Sequence, residues 1–207
     1  MIVIGDVHGR IDLLVKLIDM LPHRDLCFVG DLIDRGPESR QVVQFVIDNG
    51  YKCVLGNHEE FMIESYDKEG NVFRYVHDMW DSNGAQATLR SYLVNGRMDD
   101  YTFHAHREWM STLPIIYKVT DNIIVSHSHY LPYIGMNLSQ SELRENVIWE
   151  RNITKHNTKG ILNIHGHTII KDKPTINNGY LNIDTGAFYY GILTAYDTDT
   201  NKLYSAF

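Results

Sequence analysis

The sequence predicts an α/β fold in which parallel strands carry polar side chains at one edge of a sheet. Three observations support this prediction. Short apolar runs alternate with helical patterns over the first sixty residues, each of these runs ends at a glycine followed by a polar residue, and strand patterns return after residue 115. Strands that alternate with helices form βαβ units, which build the parallel sheets of α/β proteins.

The first sixty residues contain three strand segments separated by two helices. Apolar runs at residues 2–4, 26–29 and 51–55 predict the strands. Apolar residues recur at helical spacing over residues 11–21 and 42–47, and Asn49-Gly50 ends the second helix. The polar residues after the three strands should therefore meet at the carboxyl edge of the sheet, where open α/β sheets bind ligands.

Residues 61–111 are polar and rich in aromatic side chains, a pattern that predicts a helical cap or insertion. Strand patterns follow at residues 115–119, 123–126, 161–164, 180–183, 192–196 and 202–205. Asn178-Gly179 and residues 198–201 have the composition of hairpin turns. The length of 207 residues fits a single domain over 1–207 that includes the insertion.

The composition excludes several classes of protein. Hydrophobic residues make up 43% of the chain and charged residues 22%, as in ordinary globular proteins. The net charge of −7 argues against stable binding to a nucleic-acid backbone, and the apolar runs are too short to span a membrane. The N-terminus lacks a signal-peptide pattern, and Cys27 and Cys53 lie in apolar runs as buried thiols would. We therefore expect a cytoplasmic protein with no membrane partner.

Side chains that can bind metal ions follow five of the apolar runs. They offer oxygen and imidazole donors without a thiolate: Asp6, His8, Asp31, Asn57, His127 and His167. This donor set suits Mn, Fe or Zn better than a cysteine-rich structural zinc site would. Six donors are too many for one four-coordinate ion and fit two ions that share a carboxylate, the arrangement used for in-line attack on phosphorus. We expect two divalent ions, with manganese first and iron or zinc as alternatives.

Three of these segments resemble the motifs of the phosphoprotein phosphatase family of metallophosphoesterases. They read GDVHG from Gly5, GDLIDRG from Gly30 and GNHE from Gly56, and they lie about 25 residues apart. Segments at 124–127, 147–151 and 166–168 fit the same family. The resemblance is strongest to the small bacteriophage lambda-type and bacterial serine/threonine protein phosphatases. It implies a metallophosphoesterase-type central β-sandwich flanked by helices.

The resemblance also implies how the donors divide between two ions. Asp6 and His8 would bind the first ion, and Asp31 would bridge both ions. The remaining donors, Asn57, His127 and His167, would complete the second. The nucleophile would be a hydroxide that bridges the ions, because bound cations lower the pKa of water toward neutrality.

Four further residues receive roles in catalysis from the same resemblance. Arg35 and Arg151 would bind the phosphoryl oxygens, since a guanidinium group can donate two parallel hydrogen bonds to phosphate. His58 would be the general acid that protonates the leaving oxygen, and Asp34 would orient it. The expected reaction is hydrolysis of phosphoserine or phosphothreonine, and of phosphotyrosine as a further candidate, in a phosphoprotein or phosphopeptide.

A second activity shares the same motifs. Symmetrical diadenosine tetraphosphate hydrolases and related nucleotide pyrophosphohydrolases carry them, so the motifs alone leave the substrate open. Only forty residues follow His167, which favours the phosphatase because those hydrolases tend to be longer. A binding module with an inactive site is disfavoured, since none of the expected ligands, the acid or the two arginines is missing.

The remaining candidates have weaker signals. Trp80 begins a segment that resembles the W-x-x-N-G-G loop of phage-type enzymes, with Ala85 in place of the second glycine. This segment either lines a substrate groove or packs in the core. We assign no role to His129 and expect a structural role for His165. Five other histidines are predicted to lie at the surface: His23, His77, His104, His106 and His156.

Overall fold

The computed structural model describes residues 1–67, 71–151 and 160–207. One sheet consists of β1 (Ile2–Ile4), β2 (Leu26–Phe28), β3 (Lys52–Cys53), β10 (Leu193–Asp197) and β11 (Lys202–Ala206), numbered along the chain. Its spatial order is β11-β10-β1-β2-β3. Strands β1, β2 and β3 run parallel, whereas β10 pairs antiparallel with both β1 and β11. The predicted parallel arrangement of the first three strands is confirmed.

A second sheet consists of β6 (Ile116–Thr120), β7 (Ile123–Ser126), β8 (Leu162–His165) and β9 (Tyr180–Asn182) in that order. Strands β7, β8 and β9 are parallel, and β6 pairs antiparallel with β7. The two sheets stack through one buried apolar cluster, to which the first contributes Val3 and Cys27 and the second Val125, Ile164 and Leu181. The stacked sheets form the expected central β-sandwich.

Helices cover the outer face of the first sheet. Successive side chains of a strand point to opposite faces, so Ile2 and Ile4 face away from the sandwich interior that holds Val3. They share a buried cluster with Leu14 of α1 (Ile11–Met20) and Val42 of α2 (Ser39–Asp48). The other helices are α3 (Asn57–Glu64), α4 (Arg74–Ser82), α5 (Ala85–Ser91), α6 (Asp100–Ser111), α7 (Gln140–Trp149) and α8 (Ala187–Tyr190), with a 3₁₀ turn at Leu131–Tyr133.

Two elements differ from the sequence-based expectation. Residues 74–111 are mostly helical, but they also contain the short hairpin of β4 (Leu93–Val94) and β5 (Arg97–Met98). Helix α7 lies between the strands predicted at 123–126 and 161–164, where the sequence analysis assigned no element. Ser139 and Glu142 form a capping box at its start, and this S-x-x-E signal is visible in the sequence.

One predicted hairpin turn joins two strands, and the other closes only a single antiparallel bridge. Residues 198–201 join the antiparallel strands β10 and β11. Asn178 and Gly179 form a tight turn with φ of 50° and 84°, and Asn177 and Tyr180 exchange backbone hydrogen bonds across it. This turn connects no pair of antiparallel strands, because β9 pairs with β8 in parallel.

Both thiols are buried and free of disulfides, as predicted. None of the helices in the described ranges combines the length and the apolar character that a bilayer crossing requires.

Candidate active site

The predicted donors converge where the carboxyl ends of both sheets meet. Asp6 follows β1, Asp31 follows β2, and Asn57 begins α3 shortly after β3. From the second sheet, His127 follows β7 and His167 follows β8. All five are at least 93% buried. The parallel arrangement of each sheet therefore brings these side chains to one place.

Three lone pairs face one another at one side of this site. The Nδ1–H of His127 donates to the Val29 carbonyl at 2.8 Å, and the Nε2–H of His167 donates to the Trp149 carbonyl at 3.2 Å. Each remaining ring nitrogen lies 2.9 Å from Oδ1 of Asn57, and the two nitrogens are 3.1 Å apart. Such backbone carbonyls fix the tautomer of metal-binding histidines. These two ring nitrogens and Oδ1 of Asn57 thus lie close together, and all three are acceptors with no donated proton between them. Such a group of atoms is suited to binding a cation.

Asp31 lies between this group and a second one. Its Oδ1 is 3.4 Å from Nε2 of His127, and its Oδ2 is 3.6 Å from Nε2 of His8. The Nδ1–H of His8 donates to the Ile33 carbonyl at 2.8 Å, which again leaves Nε2 with a lone pair. Two sets of potential ligand atoms thus share Asp31: one includes His8 and His58, the other Asp6 and His127.

Uncompensated carboxylates also indicate a cation. Asp6 accepts the backbone N–H of His167 at 3.0 Å through Oδ2, while its buried Oδ1 has no hydrogen-bond partner within the described ranges. Burial and the negative charges of Asp184 and Asp31 raise the pKa of Asp6 well above its usual value. Asp184, which the sequence analysis did not single out, has a pKa raised to about 6 by burial. A side chain at Gly166 would overlap the Asp6 carboxylate. These observations show that the residues fit divalent metal ions.

His58 is held in a fixed orientation beside the candidate ligands. Its Nδ1–H donates to Oδ2 of Asp34 at 2.6 Å, and its Nε2 accepts from Nη2 of Arg35 at 3.0 Å. Burial lowers the pKa of His58 and Arg35 opposes protonation, but the Asp31 charge and the bond to Asp34 outweigh them. The net pKa is above the ordinary value. The other amino group of Arg35 donates to Nε2 of His8 at 2.6 Å. The imidazole of His58 and the guanidinium of Arg35 therefore face the same point.

The backbone of the site is strained at several predicted residues. Non-glycine residues with positive φ are uncommon and cluster at functional positions. Five of them are predicted site residues, namely His8, Asp31, Asp34, Arg35 and His167, with φ between 47° and 71°. These backbone conformations are maintained by the packing around the five residues.

Glu59 was part of a predicted motif but had received no role. Its carboxylate is completely buried and accepts four backbone N–H groups. Oε2 accepts those of Asp31 and Gly56 at 2.8 and 3.1 Å, and Oε1 accepts those of Leu32 and Ile33 at 2.8 and 3.3 Å. Glu59 therefore fixes the loop after β2 against the start of α3. Its place in the GNHE motif was the signal available from the sequence.

Trp80 neither lines a groove nor acts only as core packing. Its ring is fully buried, and Nε1–H donates to Oδ2 of Asp34 at 2.8 Å. Thr88 donates from its hydroxyl to the other carboxylate oxygen at 2.6 Å. At Gly84 φ is 109°, and its carbonyl accepts the backbone N–H of Arg35 at 3.3 Å. The segment that begins at Trp80 thus positions Asp34 and Arg35.

Arg151 is less closely integrated than the other predicted residues. It is exposed and follows the end of α7. Its positive charge contributes to lowering the pKa values of His127 and His167, which burial lowers more strongly. The charge of Arg151 thus acts on the site from its solvent side.

One histidine prediction is wrong. His106 was expected at the surface but is 3% exposed, with Nδ1 accepting from the Tyr92 hydroxyl at 2.8 Å and Nε2–H donating to Gln44 at 2.9 Å. The amphipathic pattern of α6 could have indicated this burial. His104 is exposed as predicted, His23 and His77 are half-buried, and His156 lies outside the described residues.

Comparison with known proteins agrees with this site. The family model for calcineurin-like phosphoesterases matches residues 1–177. The serine/threonine-protein phosphatase 2 of Escherichia coli (strain K12) is 30% identical over 94% of this chain and 90% of its own. An asymmetrical bis(5'-nucleosyl)-tetraphosphatase PrpE of Anoxybacillus flavithermus (strain DSM 21510 / WK1) is 29% identical over 93% of this chain and 88% of its own.

The fold has a similar relative among solved structures. A crystal structure named, provisionally, as a diadenosine tetraphosphatase superposes with a TM-score of 0.69 at 20% identity, covering 99% of this chain and 91% of that one. The asymmetrical tetraphosphatase is thus matched over nearly its whole length, whereas a symmetrical bis(5'-nucleosyl)-tetraphosphatase of Buchnera aphidicola, 30% identical over 63% of this chain, is matched over only 44% of its own.

Proposed function

Because this chain belongs to the calcineurin-like phosphoesterase family, we propose that it hydrolyses phosphate monoesters of serine and threonine in proteins or peptides, with phosphotyrosine as a further candidate. One observation carries the proposal. The Asp34–His58 pair and Arg35 lie directly beside two sets of potential metal ligands that share Asp31. The named phosphatase of Escherichia coli, similar over nearly the whole chain, supports the choice of substrate.

We assign the metal ligands as the resemblance to the phosphoprotein phosphatases implies, with Asp31 shared between two sets of potential ligand atoms. Asp6 and His8 would hold one divalent ion, Asp31 would bridge to a second, and the three acceptors around Asn57 would complete the second. Manganese is the first candidate, and iron or zinc would suit the same donors. When bound, the two ions would supply a hydroxide nucleophile near neutral pH and neutralise charge on the phosphoryl group.

The chain's own residues would bind the phosphoryl group and complete the proton transfer. Arg35 would donate to two phosphoryl oxygens from its planar guanidinium, and Arg151 would approach from the solvent side. As the bond from phosphorus to the ester oxygen breaks, the Nε2–H of His58 would pass its proton to that oxygen. Asp34 would keep the ring oriented through Nδ1–H and stabilise the protonated form before transfer.

A second candidate activity has support from one surface residue. The Tyr189 ring is 60% exposed, and the guanidinium carbon of Arg35 lies 5.6 Å from its centroid. An exposed aromatic face beside a phosphate-binding arginine could stack on a nucleobase. Hydrolysis of dinucleoside polyphosphates is therefore the alternative, in keeping with the tetraphosphatase relative.

A substrate panel tests both candidates. Chelator-treated protein is assayed with and without Mn²⁺ on p-nitrophenyl phosphate, a phosphoserine peptide, a phosphotyrosine peptide and diadenosine tetraphosphate. We expect activity only after Mn²⁺ is restored, and the highest kcat/KM on the phosphoserine peptide. A higher kcat/KM on the dinucleotide would favour the alternative, and full activity in excess chelator would contradict the metal assignment.

Matched arginine variants complete the test. Arg35→Lys should raise KM and lower kcat on every substrate, because an ammonium group cannot donate two parallel hydrogen bonds. Arg97→Lys changes an exposed arginine in β5 and should leave both constants unchanged. Equal behaviour of the two variants would refute the role of Arg35.

A further inference from the structure

Two neighbouring strands each end in a pair of histidines separated by one residue. His127 and His129 follow β7, and His165 and His167 surround Gly166 at the end of β8. Since β7 and β8 are parallel neighbours, the pairs lie side by side. His127 and His167 belong to the candidate active site. The other two histidines meet outside it, where the proposed reaction uses neither.

The rings of the second pair lie as close together as those of the first. The rings of His129 and His165 have centroids 4.5 Å apart and an interplanar angle of 75°. The corresponding values for His127 and His167 are 4.9 Å and 71°. The phenol ring of Tyr180 on β9 completes the cluster, with its centroid 5.4 Å from that of His129. Two adjacent strand ends thus present a second pair of neighbouring imidazole rings.

The polar atoms of this cluster are buried without hydrogen bonds. Both ring nitrogens of His129, Nε2 of His165 and the hydroxyl of Tyr180 have no partner within the described ranges. The three residues are between 1% and 4% exposed. Nearly all buried polar atoms of native proteins have a hydrogen-bond partner, so four exceptions in one cluster need an explanation such as a bound ion or water.

The tautomer of His165 leaves one ring nitrogen available to bind a metal ion. Its Nδ1–H donates to the Gly166 carbonyl at 3.1 Å, which leaves a lone pair on Nε2. A neutral imidazole carries one ring nitrogen without a proton, so His129 also offers a lone pair. The cluster therefore supplies two nitrogen donors and the Tyr180 oxygen.

Two members of the cluster are open to a cavity. This cavity, of about 380 Å³, is lined by His165 and Tyr180, together with Asp172, Lys173 and Asn182. None of the candidate active-site residues lines it. An ion can thus reach His165 and Tyr180 without passing through the candidate active site.

We propose that His129, His165 and Tyr180 bind a zinc-class transition-metal ion at a site separate from the ions held around Asp31. Two imidazole nitrogens and one phenol oxygen suit Zn²⁺ or Co²⁺, whereas Mg²⁺ and Ca²⁺ prefer several carboxylate or carbonyl oxygens. Water would complete the coordination from the cavity. The bound ion would join the carboxyl ends of β7 and β8 to β9.

Elemental analysis after zinc loading tests the proposal. The full chain is stripped with chelator, loaded with Zn²⁺, passed through gel filtration and analysed for zinc per chain. His129→Phe replaces the ligand with an apolar ring, and we expect it to retain one ion fewer than the wild-type protein. His104→Phe, at an exposed histidine, is the matched control and should retain the wild-type content. An equal zinc content in His129→Phe and wild type would overturn the proposal and leave water as the occupant.

Two further measurements separate this site from the active site. His129→Phe should keep its hydrolytic activity with Mn²⁺, so a lost ion accompanied by lost activity would place that ion around Asp31 and refute the proposal. Tyr180→Phe removes only a hydroxyl and should weaken binding of the extra ion at least about tenfold, as expected for a lost metal ligand. Unchanged affinity would contradict its role as a ligand. The difference in zinc content is informative even if the protein hydrolyses none of the substrates above.

Discussion

Replacing His58 should produce a defect that depends on the leaving group. His58→Asn removes the group whose Nε2 faces Arg35 while its Nδ1 is held by Asp34 at 2.6 Å. An alkyl leaving group such as serine needs a proton during bond breakage, whereas p-nitrophenolate is stable without one. The variant should therefore lose more activity on a phosphoserine peptide than on p-nitrophenyl phosphate.

The hydrogen bonds around Asp34 give the expected size of two related defects. General acid catalysis contributes about 10²–10⁴-fold, so His58→Asn should lower kcat on the peptide by that order. In Asp34→Asn, the amide oxygen can still accept from His58 and Trp80 while its NH₂ faces Thr88. The bond to His58 loses its ionic character, a change of about 1 kcal/mol or roughly fivefold in kcat.

Steady-state kinetics on both esters, with metal content measured on the same samples, checks these values. His104→Asn, at an exposed position, serves as the control. Metal content and KM should stay near wild type in all three variants. Equal losses of His58→Asn on both esters, together with lost metal, would show that His58 is a ligand or a structural residue.

Three further predictions address the metal ligands, the pH dependence and the loop at Arg35. Asp31→Asn should lower the affinity for both ions and Asp6→Asn mainly for one, so retention of two tightly bound ions in Asp31→Asn would rule out a bridging carboxylate. Burial lowers the pKa of His106 from 6.5 to about 4. Between these two pH values the unfolded chain binds more protons than the folded one. The contribution of His106 to the unfolding free energy should therefore fall by about 2 kcal/mol from pH 7 to pH 5. Urea unfolding should show less of this loss in His106→Phe, and an identical loss would refute the assignment. Gly84→Ala would place a Cβ 3.0 Å from the backbone nitrogen of Arg35, at a residue whose φ is 109°. The variant should lose about 1–3 kcal/mol of unfolding free energy and show a higher KM. A wild-type melting curve together with a wild-type KM would contradict this.

The sequence by itself determined that the first three strands run parallel and at which edge the polar groups meet. Short apolar runs, helical spacing and glycine turns are local properties, and parallel strands joined by helices have few possible arrangements. Asp6, Asp31 and Asn57 could be placed together on these grounds. The chemistry of the donors also follows from residue type, so the expectation of a divalent metal centre needed no coordinates.

The tertiary structure decided which atoms of those residues are available. The tautomers of His127 and His167 depend on the carbonyls of Val29 and Trp149, which belong to other elements of the fold. Glu59 acts through backbone groups 26–28 residues earlier in the chain, apart from the Gly56 N–H. No local pattern specifies such contacts, because they form only when distant segments pack.

Residue type alone does not decide burial either. A histidine fits a solvated helix face and a satisfied core position alike, so His106 could not be distinguished from His104 by type. His129 and His165 likewise contact each other only because β7 and β8 become parallel neighbours. Residue type and spacing thus determined the chemistry at the sheet edge, while packing between distant segments decided which side chains are buried, which nitrogens keep a lone pair and which groups hold them in place.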